Sequence, residues 1–237
     1  MNQMNFKCDV CGHRAQSIFC SLAGSHLAKL DQEKIVHNYE KGQIIFYEGN
    51  PTYGIHCLYS GRVKLYKKGP KDEEVIIRIL GPGEIMGYRA LLANEPCAAT
   101  AEALEPSIIC SISKQTFLEL LRMSPDLALR LLSKMAKELR ISEEQTLSLA
   151  QESVRQRTVH LLLFLLEGNA KKVKPDEPIK LQLMRKDMAQ MIGTTPESLS
   201  RTLNYLAKRG ILRLTHSGIY VHDLSALKRL VPDSSSI

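Results

Sequence analysis

MRKDMAQMIGTTPESLSRTLNYLAKRGIL, residues 184–212, is the most informative segment for the C-terminal part of this 237-residue chain. Met188, Ala189 and Ile192 recur at helical spacing and predict a short amphipathic helix. Gly193 follows directly, and glycine readily ends a helix because it tolerates a left-handed conformation. The first half of the stretch therefore predicts one helix that closes with a tight turn.

A second helix is predicted to start immediately after that turn. Thr194 or Thr195 can cap it, and Thr195 as the cap would place Pro196 at the first helical position. Glu197 complements the helix dipole in the first turn, and Gly210 ends the helix. Three leucines supply its buried stripe: Leu199, Leu203 and Leu206. Two helices joined by such a turn are typical of a helix-turn-helix, whose second helix enters the major groove of DNA.

The exposed face of the second helix carries side chains suited to base edges. Arginine pairs with the O6 and N7 atoms of guanine, and glutamate accepts from the amino group of cytosine. The predicted base contacts are Glu197, Ser200 and Arg201. Other basic side chains suit phosphates, which position a protein without specifying sequence. These are Arg185, Lys186, Lys208 and Arg209. ILRL, a turn at Ser217–Gly218 and IYVH then predict a two-stranded wing.

The net charge of the chain lies in the same region. From Arg155 to the C-terminus there are 14 Lys and Arg against 7 Asp and Glu, whereas residues 1–154 carry 18 of each. This asymmetry favours a nucleic-acid-binding module. A helical pair within an ordinary all-α domain is the alternative interpretation, but the cap, the glycine turn, the basic excess and the wing all favour DNA binding.

The middle of the chain has a different pattern. VHNYEKGQIIFYEGN, GIHCLYSGRVKLYKKG, EEVIIRILGPGEIMG and PSIICSISK are short β-branched runs separated by glycines. Such runs predict an antiparallel barrel or jelly roll that ends near residue 113. Cys57 lies between apolar residues of one strand, which predicts a core position, while Cys97 follows Pro96 in a loop and is predicted to lie at the surface. A polar break is predicted at 167–172 and in the following KPDEP.

A long helix is predicted after the roll. Ser124 and Pro125 resemble an N-cap followed by proline at the first helical position, and the next thirty residues contain neither Gly nor Pro. Positions spaced alternately by four and three residues form a heptad-like seam, which predicts a dimer interface. Its members are Leu132, Met135, Leu139, Ser142, Thr146 and Leu149. The alternative is a helix packed only on its own barrel.

Three of the six cysteines lie in CDVCGHRAQSIFC, at positions 8, 11 and 20. No signal peptide follows Met1 and no apolar run is long enough to span a bilayer, so we expect a cytoplasmic protein without membrane contact. In that compartment clustered cysteines are metal ligands or redox thiols more often than structural disulfides. A zinc knuckle completed by His13 or His26, and a reversible disulfide, are both compatible with this pattern.

A β-roll, a long helix and a winged helix-turn-helix, in this order, resemble the cyclic-AMP receptor/FNR family of bacterial transcription regulators. The resemblance implies an α+β chain with a cysteine-rich arm at 1–20, a β-roll sensor of the cyclic-nucleotide-binding jelly-roll type at 21–120, a dimerisation helix at 121–153 and a DNA-binding domain at 154–237. It also implies a homodimer that binds a palindromic double-stranded DNA operator, with RNA polymerase as a further partner.

One segment argues against a cyclic nucleotide as the signal. Family members that bind cyclic AMP carry Gly-Glu and, further along, an arginine that holds the phosphate. This chain keeps Gly83 and Glu84, but residues 97–100 (Cys-Ala-Ala-Thr) fill the place of that arginine, and Arg89 is off position. A buried phosphodiester needs the cation, so no cyclic AMP is expected.

The cysteines instead resemble those of the oxygen-sensing FNR branch. That branch holds a [4Fe–4S] cluster with three N-terminal cysteines and one distant cysteine in the roll, and four thiolates are what such a cluster needs. By resemblance the ligands are Cys8, Cys11, Cys20 and Cys110. The gap before Cys20 is longer than in the best-known member. Cys110, in SIICSI, also has a plainer interpretation as a packed core cysteine.

The recognition helix agrees with the same branch. Glu197, Ser200 and Arg201 match its Glu-x-x-Ser-Arg pattern, which implies an operator close to TTGAT-N4-ATCAA and activity in the absence of oxygen. Nitric oxide, haem or thiol oxidation as the signal, and a zinc-stapled DNA-binding protein without a sensor, are the alternatives. The sequence contains no nucleophile–base pair and no phosphate-binding loop in a convincing context. We therefore do not expect an enzyme.

The helix seam departs from the branch at one position. The oxygen sensors tend to carry an acidic residue where this chain has Ser142, and a carboxylate there weakens the dimer until the cluster favours it. Ser142 removes that charge, although Glu143 and Glu144 adjoin it. The hypothesis is that this protein is more dimeric without its cluster than its relatives are.

Overall fold

Two four-stranded antiparallel sheets form the centre of the N-terminal unit. The first sheet has the order β1-β8-β3-β6, formed by Ile35–Tyr39, Ser107–Ser113, Gly54–Ser60 and Ile85–Met86. The second has the order β2-β7-β4-β5, formed by Ile44–Phe46, Thr100–Ala103, Val63–Lys68 and Glu74–Leu80. The structure is a computed structural model that describes residues 6–69, 72–169, 179–181, 184–215 and 218–231. The predicted jelly roll is confirmed, and its last strand ends at Ser113.

One core lies within the roll itself. Leu58, Val63, Leu80 and Ile109 are each completely buried there. They come from four different strands, each of which buries some of its residues and leaves others more exposed. The β-branched runs of the sequence therefore form strands because one face of each run is apolar.

The N-terminal arm packs on the roll through its second half. It forms two 3-10 turns, Arg14–Gln16 and Ile18–Ser21, before helix α1 at Gly24–Glu33. Ile18, Phe19 and Leu22 are buried, and the Phe19 ring meets that of Phe117 edge to face at 6.4 Å. The arm is thus anchored by apolar burial directly beside its third cysteine.

Three helices complete this part of the chain: α2 at Tyr88–Ala93, α3 at Lys114–Met123 and α4 at Pro125–Gln151. The long helix was predicted over 121–153, and α4 lies inside that range. It starts four residues later because Ser124 separates it from α3. Leu127 and Leu131, in its first two turns, are buried in a core that also holds Phe19 and Phe117.

The chain divides into two units, Met1–Leu139 and Arg140–Ile237. Beyond α4, the second unit contains α5, β9, α6, α7, β10, β11 and α8, which are Val154–Asn169, Ile179–Leu181, Arg185–Met191, Pro196–Lys208, Leu212–Thr215, Gly218–Val221 and Leu224–Lys228. The wing has three strands and not the predicted two, because β9 pairs with β11 in the order β10-β11-β9. The third strand, β9, is only three residues long, and so short a segment has too little hydrophobic pattern to be predicted as a strand.

Two predicted features fall partly on residues outside the described ranges. They are the polar break of 167–172 and KPDEP, of which 170–178 are not described, and Ser217 of the wing turn. Among the helices of the described residues, none is both long enough and apolar enough to cross a membrane.

The prediction that Cys97 lies at the surface is wrong. Its side chain is 6% exposed. The backbone N–H of Cys97 donates to Asn50 at 2.9 Å, and its carbonyl accepts from Gly49 at 2.8 Å. These two bonds hold the loop after Pro96 against the loop after β2 and cover the thiol.

Candidate functional site

The two helices of the helix-turn-helix are α6 and α7, and the turn between them contains Gly193. Thr195 is the N-cap of α7, and its hydroxyl accepts from the backbone N–H of Ser198 at 3.2 Å. Gly193 has a φ of +59°, and a Cβ there would meet Leu149 at 3.0 Å. The sequence predicted this turn because the cap, Pro196 and the glycine are all local signals.

The predicted base contacts lie on one side of α7. The opposite side is closed by Leu199, Leu203 and Leu206, which are completely buried. Glu197 and Arg201 are exposed and Ser200 is half-buried. Arg201 donates to the Ser198 hydroxyl at 3.1 Å. A hydrogen bond from its own backbone N–H, then Thr195 and Arg201, hold the pKa of Glu197 below its usual value. Glu197 is therefore a carboxylate at neutral pH, available to accept from a base.

The predicted phosphate contacts are exposed: Arg185, Lys186, Lys208 and Arg209. Arg185 and Lys186 open α6, whereas Lys208 and Arg209 close α7. The guanidinium of Arg209 also lies 4.7 Å from the ring centre of Tyr205, and that of Arg155 lies 4.1 Å from it. This aromatic ring therefore contacts two cations near the end of α7.

The predicted dimer seam on α4 is mostly uncovered within the chain. Leu132, Leu139 and Leu149 are between 55% and 62% exposed. Ser142 and Thr146 are exposed, and the Thr146 hydroxyl donates to the Ser142 carbonyl at 2.9 Å. Met135 differs, because it is half-buried against the core that holds Leu127. A helix that exposes this many leucines is amenable to pairing with another helix.

Cysteines from the arm and from the roll line one cavity of about 50 Å³. They are Cys8, Cys11, Cys57 and Cys110. The cavity therefore brings together three of the four predicted ligands and adds Cys57, for which the sequence predicts a core position. Cys20 is half-buried in the turn Ile18–Ser21 and is not part of the lining. His13 does line the cavity, with its ring edge-on to Tyr59 at 6.4 Å between centroids.

The chemistry of this cavity suits a thiolate-bound metal centre. Its other walls are largely apolar, with Phe19, Leu30 and Ile112 among them, and soft thiolates select iron–sulfur clusters and zinc. The cysteine thiols of this cavity are therefore suitable ligands for an iron–sulfur cluster or for zinc. Within the described residues, however, no three Cys, His, Asp or Glu side chains stand close enough together to hold a metal ion. Ligation requires the arm thiols to move toward the sheet.

Burial and a nearby cation act in opposite directions on these thiols. Burial raises the pKa of Cys8 and Cys110 to about 11, and the ammonium group of Lys34 partly offsets this effect. Burial, and then the proximity of Cys110, raise the pKa of Cys57 to about 12. The free thiols are therefore neutral at pH 7, and a metal would have to displace their protons on binding.

Polar contacts hold the arm at this cavity. The backbone N–H of Cys8 donates to Asp31 of α1 at 2.8 Å, and Asp31 is also paired with Lys34. The Phe6 ring meets Tyr59 edge to face at 5.0 Å. Sequence patterns had not marked Asp31 or Lys34, since neither belongs to a motif.

The arm also touches the roll at a glycine. Gly83 has a φ of +88°, and a Cβ there would lie 3.1 Å from the carbonyl oxygen of His13. Its own N–H donates to the Leu58 carbonyl at 2.7 Å. Gly83 therefore serves two purposes, since it makes a turn that other residues rarely adopt and leaves room for the arm.

The segment that resembles a nucleotide cassette is occupied by an ion-pair network. The guanidinium of Arg78 lies 2.8 Å from the carboxylate of Glu84 and 2.5 Å from that of Glu138 on α4. Lys134 lies 3.0 Å from Glu138. Arg89 is exposed on α2. Glu84, which matches the acidic residue of the cyclic-AMP cassette, is thus paired with Arg78. Arg78 is paired in turn with Glu138 of the long helix.

Comparison with known proteins agrees with both parts of this geometry. The model of the cyclic nucleotide-binding domain matches residues 36–124, and the model of the Crp-like helix-turn-helix domain matches residues 156–230. The first match spans the roll and the second spans the unit that contains α6 and α7.

Curated relatives match most of the chain. The "Cyclic AMP receptor protein" of Thermus thermophilus is 29% identical over 192 residues, covering 81% of this chain and 86% of that protein. The "Anaerobic regulatory protein" of Pasteurella multocida is 28% identical over 191 residues, covering 81% of this chain and 70% of that protein. Among solved structures, the global regulator CLP of Xanthomonas campestris superposes with a TM-score of 0.75 at 19% identity, over 84% of this chain and 98% of that one, which shows the fold.

We predict that Gly83→Ala destabilises the roll and loosens the arm. The left-handed conformation costs a non-glycine residue about 1–2 kcal/mol, and the new Cβ would press on the His13 carbonyl. Urea denaturation should show a loss of this size, and Cys8 and Cys11 should react faster with iodoacetamide. Gly81→Ala is the matched control, because Gly81 has no positive φ and its Cβ would meet nothing closer than 4.0 Å. Equal effects of the two variants would contradict the assignment.

Proposed function

Since this chain belongs to the cyclic-AMP receptor/FNR family and is a DNA-binding transcription regulator, we propose that it senses oxygen through a [4Fe–4S] cluster and binds its operator as a homodimer when the cluster is intact. The operator resembles TTGAT-N4-ATCAA, and the bound dimer acts on RNA polymerase in the cytoplasm. The regulator has no catalytic activity of its own. The observation that carries the proposal is the cavity that Cys8, Cys11 and Cys110 line together.

The arm supplies the coupling between the cavity and the helix. When bound, the cluster would supply an oxygen-labile link between arm and sheet, with Cys8, Cys11, Cys20 and Cys110 as the ligands that the resemblance implies. Cys8 packs against the same core that buries Leu127 and Leu131 of α4. A change in the position of the arm therefore alters the packing at the start of the helix that carries the dimer seam.

Cyclic AMP is not the signal under this proposal. The phosphate would need a buried cation, but Cys97 and Thr100 are buried where the family's arginine would stand. Glu84 is engaged by Arg78, which also pairs with Glu138. The network bonds the roll to α4 without a ligand.

A zinc-stapled regulator is the second candidate. It is favoured by His13, which lines the same cavity as Cys8 and Cys11, since two or three thiolates and an imidazole make a common tetrahedral zinc site. Such a site would fix the arm permanently and would give no response to oxygen.

Anaerobic purification tests the proposal. We expect a brown protein with broad visible absorption and about four iron and four sulfide per chain. It should retard a duplex containing TTGAT-N4-ATCAA, and exposure to air should bleach it and weaken binding. A colourless protein with one zinc per chain, or equal DNA affinity with and without exposure to air, would contradict the proposal.

Arg201→Ala should lower affinity for the operator by about 1–3 kcal/mol and relax the preference at one guanine, because a bidentate contact to the base is lost. Competition binding on a set of single-base operator variants measures both effects. Lys208→Ala is the control, since a phosphate contact should weaken binding to all sequences alike and lower the salt slope by about 1. Equal loss on random DNA in Arg201→Ala would show that Arg201 contacts only phosphate.

Ser142→Asp should dissociate the cluster-free dimer, because the substitution opposes two carboxylates across the two-fold axis of the seam. Sedimentation velocity at micromolar concentration gives the fraction of dimer in each apo-protein. Lys137→Gln changes the net charge equally at an exposed position outside the seam and should leave the dimer intact. A wild-type apo-protein that sediments as a clean monomer would refute the hypothesis that Ser142 favours the dimer.

A further inference from the structure

Cys57 is the cavity cysteine that neither the arm motif nor the family resemblance uses. It lies in β3, directly opposite Cys110 of β8 in the antiparallel register. Both side chains line the cavity that Cys8 and Cys11 reach from the arm. The cavity therefore contains two pairs of thiols, one on the arm and one on the sheet.

The sheet pair is held rigidly. Directly opposite residues of antiparallel strands project to the same face, with Cβ atoms about 4.5–5.5 Å apart. In the order β1-β8-β3-β6, both β3 and β8 have a hydrogen-bonded neighbour on each side. Neither strand is an edge strand, so neither backbone is free to shift. The Cys57 and Cys110 thiols are therefore placed side by side before any metal arrives.

The arm pair completes a familiar donor pattern. Cys8 and Cys11 are spaced as Cys-x2-Cys, and a Cys-x2-Cys pair combined with two further cysteines gives the four thiolates of a zinc or iron–sulfur site. Lys34 lines the same cavity. Its ammonium group is ion-paired with Asp31.

Cys20 is poorly placed to be the fourth ligand. It lies in the turn Ile18–Ser21, between Phe19, which is 5% exposed, and Leu22, which is 1% exposed. These neighbours anchor the arm in the core. Phe19 lines the cavity but Cys20 does not, so that bringing Cys20 there would require this anchor to rearrange, whereas Cys57 is part of the lining.

We infer that Cys57, and not Cys20, is the fourth ligand, so that the metal centre is held by Cys8, Cys11, Cys57 and Cys110. The inference rests on the proposed metal centre but names a different ligand set from the one that the resemblance implies. It also fixes the distribution of ligands, with two on the arm and two on the sheet.

Single alanine variants of the full chain test this set. Cys57→Ala, Cys20→Ala, Cys110→Ala and Cys97→Ala are reconstituted without oxygen with ferrous iron and sulfide, and iron, sulfide and visible absorption are measured per chain. Cys97→Ala is the matched control, because Cys97 is another buried cysteine of the roll and does not line the cavity. Circular dichroism and urea denaturation establish that each variant folds.

We expect Cys57→Ala and Cys110→Ala to lose most of the bound iron, while Cys20→Ala and Cys97→Ala keep it. Loss of iron in a folded Cys20→Ala, with or without loss in Cys57→Ala, would overturn the inference. So would retention of iron in Cys57→Ala, or a Cys57–Cys110 disulfide in the anaerobic protein, seen as a mass lower by two hydrogens.

Two further measurements keep the test decisive. If Cys57→Ala does not fold, Cys57→Ser retains nearly the same volume, and it must then lose the thiolate-to-iron absorption while Cys20→Ser keeps it. If wild-type protein binds no iron, the proposed oxygen sensor fails, and titration with zinc tests the ligand set by itself. Zinc retention by Cys20→Ala and its loss from Cys57→Ala would still support the set.

Discussion

The shared burial of Phe19, Leu22, Phe117 and Leu127 is the packing on which the N-terminal unit depends. The first two residues come from the arm, Phe117 from α3, and Leu127 from the first turn of α4, and all four belong to one core. Removing a buried side chain of this size typically costs 2–5 kcal/mol. The second half of the arm, α3 and the start of the long helix therefore share one core.

This packing divides the arm into an anchored half and a more weakly held half. Ile18, Phe19 and Leu22 are held by apolar burial and need no metal. The segment before them is held more weakly, by the hydrogen bond from Cys8 to Asp31 and by the contacts of Phe6 and His13 with Tyr59. Under the proposed function, loss of the metal centre would therefore release the segment around Cys8 and Cys11, while the anchor keeps that segment beside the roll for rebinding.

Sequence patterns were sufficient to predict the features that depend on residues close together in the chain. The cap at Thr195, the buried stripe of α7 and the β-branched runs of the roll are all found as predicted. Features that join distant segments could not be predicted in the same way. Cys57 packs against the core as predicted, but only the register of β3 against β8 places it opposite Cys110. Cys97 follows a proline, as surface residues often do, and is covered because its loop bonds to another loop. Such contacts between distant segments could not be predicted from the sequence of one protein.

Under the proposed function, the distribution of thiols decides how strongly the metal centre could control α4. A ligand shifts a conformational equilibrium only by the difference in its affinity for the two states. With three ligands on the arm and one on the sheet, an arm that has left the roll would keep most of the coordination and much of the affinity. With Cys8 and Cys11 on the arm and Cys57 and Cys110 on the sheet, neither half offers more than two thiolates alone. The second arrangement makes metal binding and docking of the segment around Cys8 and Cys11 nearly the same event, and Cys8 packs against the core that buries Leu127 and Leu131.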